Sequence, residues 1–172
     1  MTTNVLVRSA TRLAVAIVVV SALSLNASRS FSDDTATEET PPMARIVPIA
    51  VEQSYLEGLG LVAADLSASD PNDDNVTSDA PIENSSHVFH MGKIMVAVYE
   101  AAPGKVHIDD ARYDEFVHIL EGRLILSLED GETFEFKKGD SLVVPKGFTG
   151  HWHMPEKYRE LIVIDTSYLE SE

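Results

Sequence analysis

From Ser86 to Thr166 apolar and polar residues alternate along the chain with a period of two, the pattern of strands that cover one face. The alternation predicts strands over 87–91, 93–100, 105–109, 114–120, 122–129, 133–137, 141–144, 151–154 and 161–166. Turn residues separate them: Ala102–Pro103–Gly104, Asp110 to Arg112, Asp130–Gly131, Gly139–Asp140 and Pro145 to Gly147. Short strands at close spacing with such turns predict an all-β antiparallel sandwich or barrel. Upstream, the apolar run 46–51 predicts an edge strand. Residues 52–66 predict one or two helical turns around Tyr55, Leu56 and Leu59, weakened by Gly58 and Gly60. Residues 67–86, rich in Asp and Pro, predict the largest loop.

The first 32 residues follow another logic. They contain no Asp or Glu, and Arg12 and Arg29 bracket 16 uncharged residues. A membrane span needs roughly 20 apolar residues, so this charged, apolar, small-residue order reads as a secretory signal and not an anchor. Residues 33–45 are acidic and threonine-rich, reach Pro41–Pro42, and read as a flexible linker. The expected organisation is a signal peptide over 1–32, the linker, an N-terminal strand and acidic loop over 46–85, and one β domain over 86–172. The expected location is periplasmic or secreted.

Charge and composition narrow the chemistry. Against 28 acidic residues stand 13 basic ones, a net charge of −15, which excludes nucleic acid and anionic membranes as partners by repulsion. The chain has no cysteine, hence no disulfide, thiolate metal site or thiol nucleophile. A serine elbow and a phosphate-cradling loop are also missing from the sequence.

Two gapped motifs carry most of the functional information. The first ends in Glu115, six residues and Gly122; the second runs Gly139, five residues, Pro145, one residue and Gly147. In order and spacing they resemble the cupins, which implies an antiparallel jelly-roll barrel, with a short N-terminal extension in this chain. The run Gly150–His151–Trp152 and the stretch 158–164 resemble cupins related to (S)-ureidoglycine aminohydrolase. Tyr113–Asp114–Glu115 is similar to cupins linked to ethanolamine utilisation. The resemblance implies a small-molecule pocket and, in metal-binding members, a three-histidine, one-glutamate site. Here the histidine positions hold Ile108 and Asp110, or Asp109 and Ala111, and then Gly150. Only Glu115 remains of that site.

The candidate residues follow. Glu115, at a position that faces the interior, is the first candidate for proton transfer, with Tyr113 as a phenol donor beside it. His107 and Trp152 are candidates for ligand binding, the indole as a stacking surface. Glu115, His107 and Asp109 form a candidate oxygen-rich set for Mn²⁺ or Fe²⁺; the competing reading is a polar rim that holds no metal. Counting alternation from Gly150 places Trp152 inward and His151 and His153 outward. His118 is expected to point away from Glu115, and His87 and His90 to have opposite parity. Strands apolar on both faces predict a homodimer.

Overall fold

The computed structural model describes residues 46–66 and 75–170. The expected signal peptide over 1–32, the expected linker over 33–45 and residues 67–74 lie outside the described residues. One helix, α1 (Gln53–Leu56), precedes eleven strands: β1 (Val62–Ala63), β2 (Val76–Ser78), β3 (Asn84–Met91), β4 (Ile94–Ala101), β5 (Gly104–Ile108), β6 (Glu115–Glu121), β7 (Arg123–Leu128), β8 (Thr133–Lys137), β9 (Ser141–Val144), β10 (Gly150–Met154) and β11 (Tyr158–Asp165). A 3₁₀ turn, Ser167–Glu170, follows them.

The strands form two antiparallel sheets. One has six strands in the order β1-β3-β4-β11-β6-β9; the other has five, in the order β2-β5-β10-β7-β8. The arrangement is a jelly roll of cupin type, in which the chain crosses repeatedly between the two sheets, with β3–β4 and β7–β8 paired within one sheet. Alternation decides what lies between them. Met95, Ala97, Tyr99 and Ala101 of β4, Val117 and Ile119 of β6, and Tyr158, Glu160, Ile162 and Ile164 of β11 are all buried. Val106, Leu124, Leu126, Trp152 and Met154 meet them from the five-stranded sheet. Gly122 makes the tight β6–β7 connection at φ +76, and a Cβ there would run into the Lys157 carbonyl.

Several expectations need correction. Residues 46–51 form no strand: Ile46 is 98 % and Ile49 57 % exposed, and no sheet edge receives them. The helix takes the shorter of its two expected lengths, a single turn ended by Gly58 at φ +85. The loop expected over 67–86 contains β2 and the start of β3, because β2 pairs with β5 through Thr77 opposite His107. In β3 the register shifts between Val88 and His90, so His87 faces Val98 and His90 faces Val96. This bulge puts both histidines on the outer face, where strict alternation would separate them.

On that outer face Arg159, only 7 % exposed, ties the extension to the sheet. Its guanidinium pairs with Glu100 at 3.0 Å and with Glu121, and donates to the Leu56 carbonyl at 3.1 Å. Tyr55 lies flat on His87, with ring centroids 3.6 Å apart. Removing one member of a buried ion pair strands the others, at a cost of about 3 kcal/mol. Arg159→Ala is therefore expected to lower the unfolding free energy from urea denaturation by that order, moving the midpoint down, and to make residues 46–58 sensitive to limited proteolysis. An unchanged midpoint would show that the ion-pair network contributes no stability.

Candidate functional site

β11 begins with Tyr158, Arg159 and Glu160, and alternation sends Tyr158 and Glu160 inward and Arg159 outward. Glu160 stands opposite Tyr99 of β4 and Ile119 of β6. It is 4 % exposed, and Tyr158 Oη donates to its Oε2 at 2.6 Å. Glu115, the first residue of β6, shares the inward parity of Val117 and Ile119 and pairs with Ile164 and Val144. As a residue it is half-buried, because the strand starts at the rim. Two carboxyl groups and two phenols, Tyr99 and Tyr158, are thus turned into an otherwise apolar interior.

Electrostatics sets the state of this group. Burial pushes Glu115 from its usual 4.5 up to about 7. Glu160 is raised well above the carboxylate range, first by burial and then by the neighbouring Glu115 charge, while the Tyr158 hydrogen bond opposes the rise. Tyr158 is raised in turn by burial and by the Glu160 charge. Among the described residues Arg159 is the one buried cation, and it points to the other face of the sheet. The two carboxyls therefore titrate as a pair that favours retention of a proton near neutral pH. Such a pair can give a proton to a bound molecule or take one from it.

The other candidates are distributed differently. Tyr113 packs against the core just ahead of β6. Trp152, 6 % exposed, faces inward opposite Val106 and Leu126, while His151 and His153 stand on the outer face, as the alternation predicts. His118 also faces outward, its Nδ1 2.9 Å from Ser141 Oγ. His107 does not share a cavity with Glu115, contrary to expectation. Val106 takes the inward position on β5, so His107 lies outside, its Nε2 3.0 Å from Glu129 Oε1. Asp109 lies past the end of β5, exposed, in the turn that follows.

The expected metal set is therefore not assembled: Glu115 is inside, and His107 and Asp109 are not. Among the described residues no three of His, Asp and Glu enclose a point at metal-ligand distances. Gly150 gives a steric reason why the second-motif histidine has no place here. A Cβ at that position would run into the Ser127 carbonyl and meet the Phe148 ring at 3.1 Å. The residues present do not fit the metal centre that the fold family implies.

With this geometry in view, the comparisons are consistent. Residues 90–160 match the family model described as the EutQ-like cupin domain. Within those residues the chain is similar to that cupin domain, and the two-sheet topology is of cupin type. Among solved structures, a putative ethanolamine utilization protein Q from Salmonella typhimurium LT2 is similar at 24 % identity, with 48 % of this chain and 68 % of that one covered and a TM-score of 0.43. The EutQ protein of Clostridium difficile is similar at 14 % identity, with 53 % and 69 % covered and a TM-score of 0.46. A protein of unknown function from Pseudomonas syringae pv. tomato str. DC3000 is similar at 20 % identity over 60 % of this chain, with a TM-score of 0.49. The match spans only 43 % of the Pseudomonas protein's length. No curated protein matches.

Glu160 and Tyr158 were not among the candidates from sequence. The signal was present: Ile164 and Ile162 set an inward parity that, counted back by twos, reaches both.

The raised carboxyls fix the sign of a pH effect. Between the ordinary 4.5 and about 7 the folded state binds more protons than the unfolded state, so stability falls as pH rises through that window. Asp165, lowered by hydrogen bonds from Ser167, acts only below its ordinary 3.8. The melting temperature is expected to be higher at pH 5.5 than at pH 8, and Glu160→Gln to flatten that difference. An unflattened profile in the variant would contradict the pairing. Tyr158→Phe leaves a buried carboxyl without its donor and is expected to cost about 1–3 kcal/mol in chemical denaturation.

Proposed function

We propose that this chain is an exported, single-domain cupin that binds a small polar molecule at the Glu115 end of its interior and exchanges a proton with it. The observation that carries the reading is the inward-facing pair of Glu115, half-buried at the rim, and buried Glu160, with Tyr158 donating to Glu160 at 2.6 Å. Glu115, pushed up to about 7 by burial, suits proton transfer because its acid and base forms are both accessible near neutral pH. Trp152 in the core and Tyr113 packed against it just ahead of Glu115 are the aromatic groups this reading assigns to the ligand. The ligand class follows from the resemblance to cupins related to (S)-ureidoglycine aminohydrolase, which favours a small nitrogenous compound. Export rests on the pattern of residues 1–32.

The test is a thermal-shift screen of small polar compounds, followed by calorimetry of any hit in two buffers of different ionisation enthalpy. Binding is expected to move protons between protein and buffer, and to weaken at least tenfold in Glu115→Gln and in Glu160→Gln. Hits that bind both variants as tightly as the parent, without proton exchange, would overturn the reading.

The working form is a homodimer. Phe116 and Val143 sit opposite each other on β6 and β9 and are 40 % and 63 % exposed on the outer face of the six-stranded sheet. The exposed apolar residues of 46–51 on a second copy supply matching surface. Light scattering is expected to give twice the chain mass at micromolar concentration, falling toward the monomer in Val143→Lys. A monomeric parent would contradict the dimer.

A further inference from the structure

The outer face of the five-stranded sheet carries chemistry that the interior site does not use. Register places His107 of β5 directly opposite His151 of β10, with Thr77 of β2 on one side and Ser127 of β7 on the other. All four face away from the core, since their neighbours Val106 and Trp152 fill the inward positions. The two histidines border a cleft of about 190 Å³, lined also by Thr77, Ser78, Asp79 and Lys105. That volume holds an ion with several waters, each occupying about 30 Å³.

The spacing is that of a chelate. The imidazole centroids are 5.0 Å apart and the rings are crossed at 66°, not stacked. An ion bonded to an imidazole nitrogen at about 2.0–2.1 Å lies about 3.2 Å from the ring centroid. Two such rings around one tetrahedral ion have centroids about 5 Å apart. A third donor is beside them: His107 Nε2 and Glu129 Oε1 are 3.0 Å apart. Two bonds of about 2.1 Å meeting at a near right angle span that distance. As placed, the three do not enclose one point, so binding requires the His151 ring to turn about its side-chain torsions.

We propose that His107, His151 and Glu129 form a site for a borderline transition-metal dication, Zn²⁺, Ni²⁺ or Cu²⁺, on the outer sheet face. Imidazole and carboxylate donors select these ions over Mg²⁺ and Ca²⁺. The ion takes the place of the hydrogen between His107 Nε2 and Glu129 Oε1, since a metal-bound imidazole nitrogen carries no proton. Lys105 at the cleft is a like charge, countered by Asp79 across it and by a chain of net charge −15. This site shares no residue with the Glu115–Glu160 pair and is independent of the function proposed above.

The test uses the untagged full chain, titrated calorimetrically with Zn²⁺ and Cu²⁺. One ion per chain is expected to bind, with the nitrogen superhyperfine pattern of two imidazoles in the Cu²⁺ electron paramagnetic resonance spectrum. His107→Gln and His151→Gln are each expected to lose at least tenfold in affinity, and Glu129→Gln about 10–100-fold. These residues are at the surface, so circular dichroism is expected to show folded variants, and Glu115→Gln is expected to bind as the parent does. Affinity in the His107→Gln/His151→Gln double variant equal to that of the parent would overturn the site. So would loss of binding in Glu115→Gln with retention in the double variant, which would return the metal to the interior.

Discussion

Two carboxyl groups turned into an apolar interior, with the nearby buried arginine on the far side of the sheet, are the constraint on which the rest depends. A buried, isolated carboxylate is costly, and the cheaper state keeps a proton on the pair. Tyr158 offers Glu160 a short hydrogen bond, and Tyr99 stands opposite it in register. The strand that delivers Glu160 inward delivers Arg159 outward one residue earlier. One stretch of β11 thus builds both the proton-holding interior and the ionic clasp that holds the N-terminal extension.

The same backbone explains why this interior is a carboxyl site and not the metal site that the fold family implies. At Gly150 the chain runs so close to Ser127 that no Cβ fits, which removes the place of the second-motif histidine. On β5 the inward positions go to Val106 and Ile108, both apolar. The histidines that remain, His107, His151 and His153, stand on the outside of the five-stranded sheet. Donor groups have thus separated into an interior of acids and phenols and an exterior of imidazoles.

Much of this was legible in the sequence, and the failures have physical causes. The strands and their turns followed from alternation, and the inward place of Glu115 and Trp152 from motif and parity. Nearness in sequence to Glu115 suggests an interior place for His107, but Val106 and Ile108 mark the other parity of the strand as the apolar one. Glu160 escapes the sequence pattern because the apolar run begins only at Leu161, whereas the strand begins at Tyr158. The His87–His90 relation could not be read, because a bulge changes parity without leaving a glycine or proline in the strand. The run 46–51 has the composition of a strand but no partner edge among the described residues, and composition alone cannot supply one.

The central claim is that Glu115 and Glu160 form a coupled pair with a proton held near neutral pH. Carbon-13 detected NMR of the glutamate carboxyl carbons, titrated from pH 3 to 9 with Glu115→Gln and Glu160→Gln for assignment, tests it directly. The account predicts two carboxyl resonances that titrate well above the others, one near 7, each shifting lower when its partner is replaced by glutamine. Both carboxyls titrating near 4.5, unmoved by substitution of the other, would contradict it.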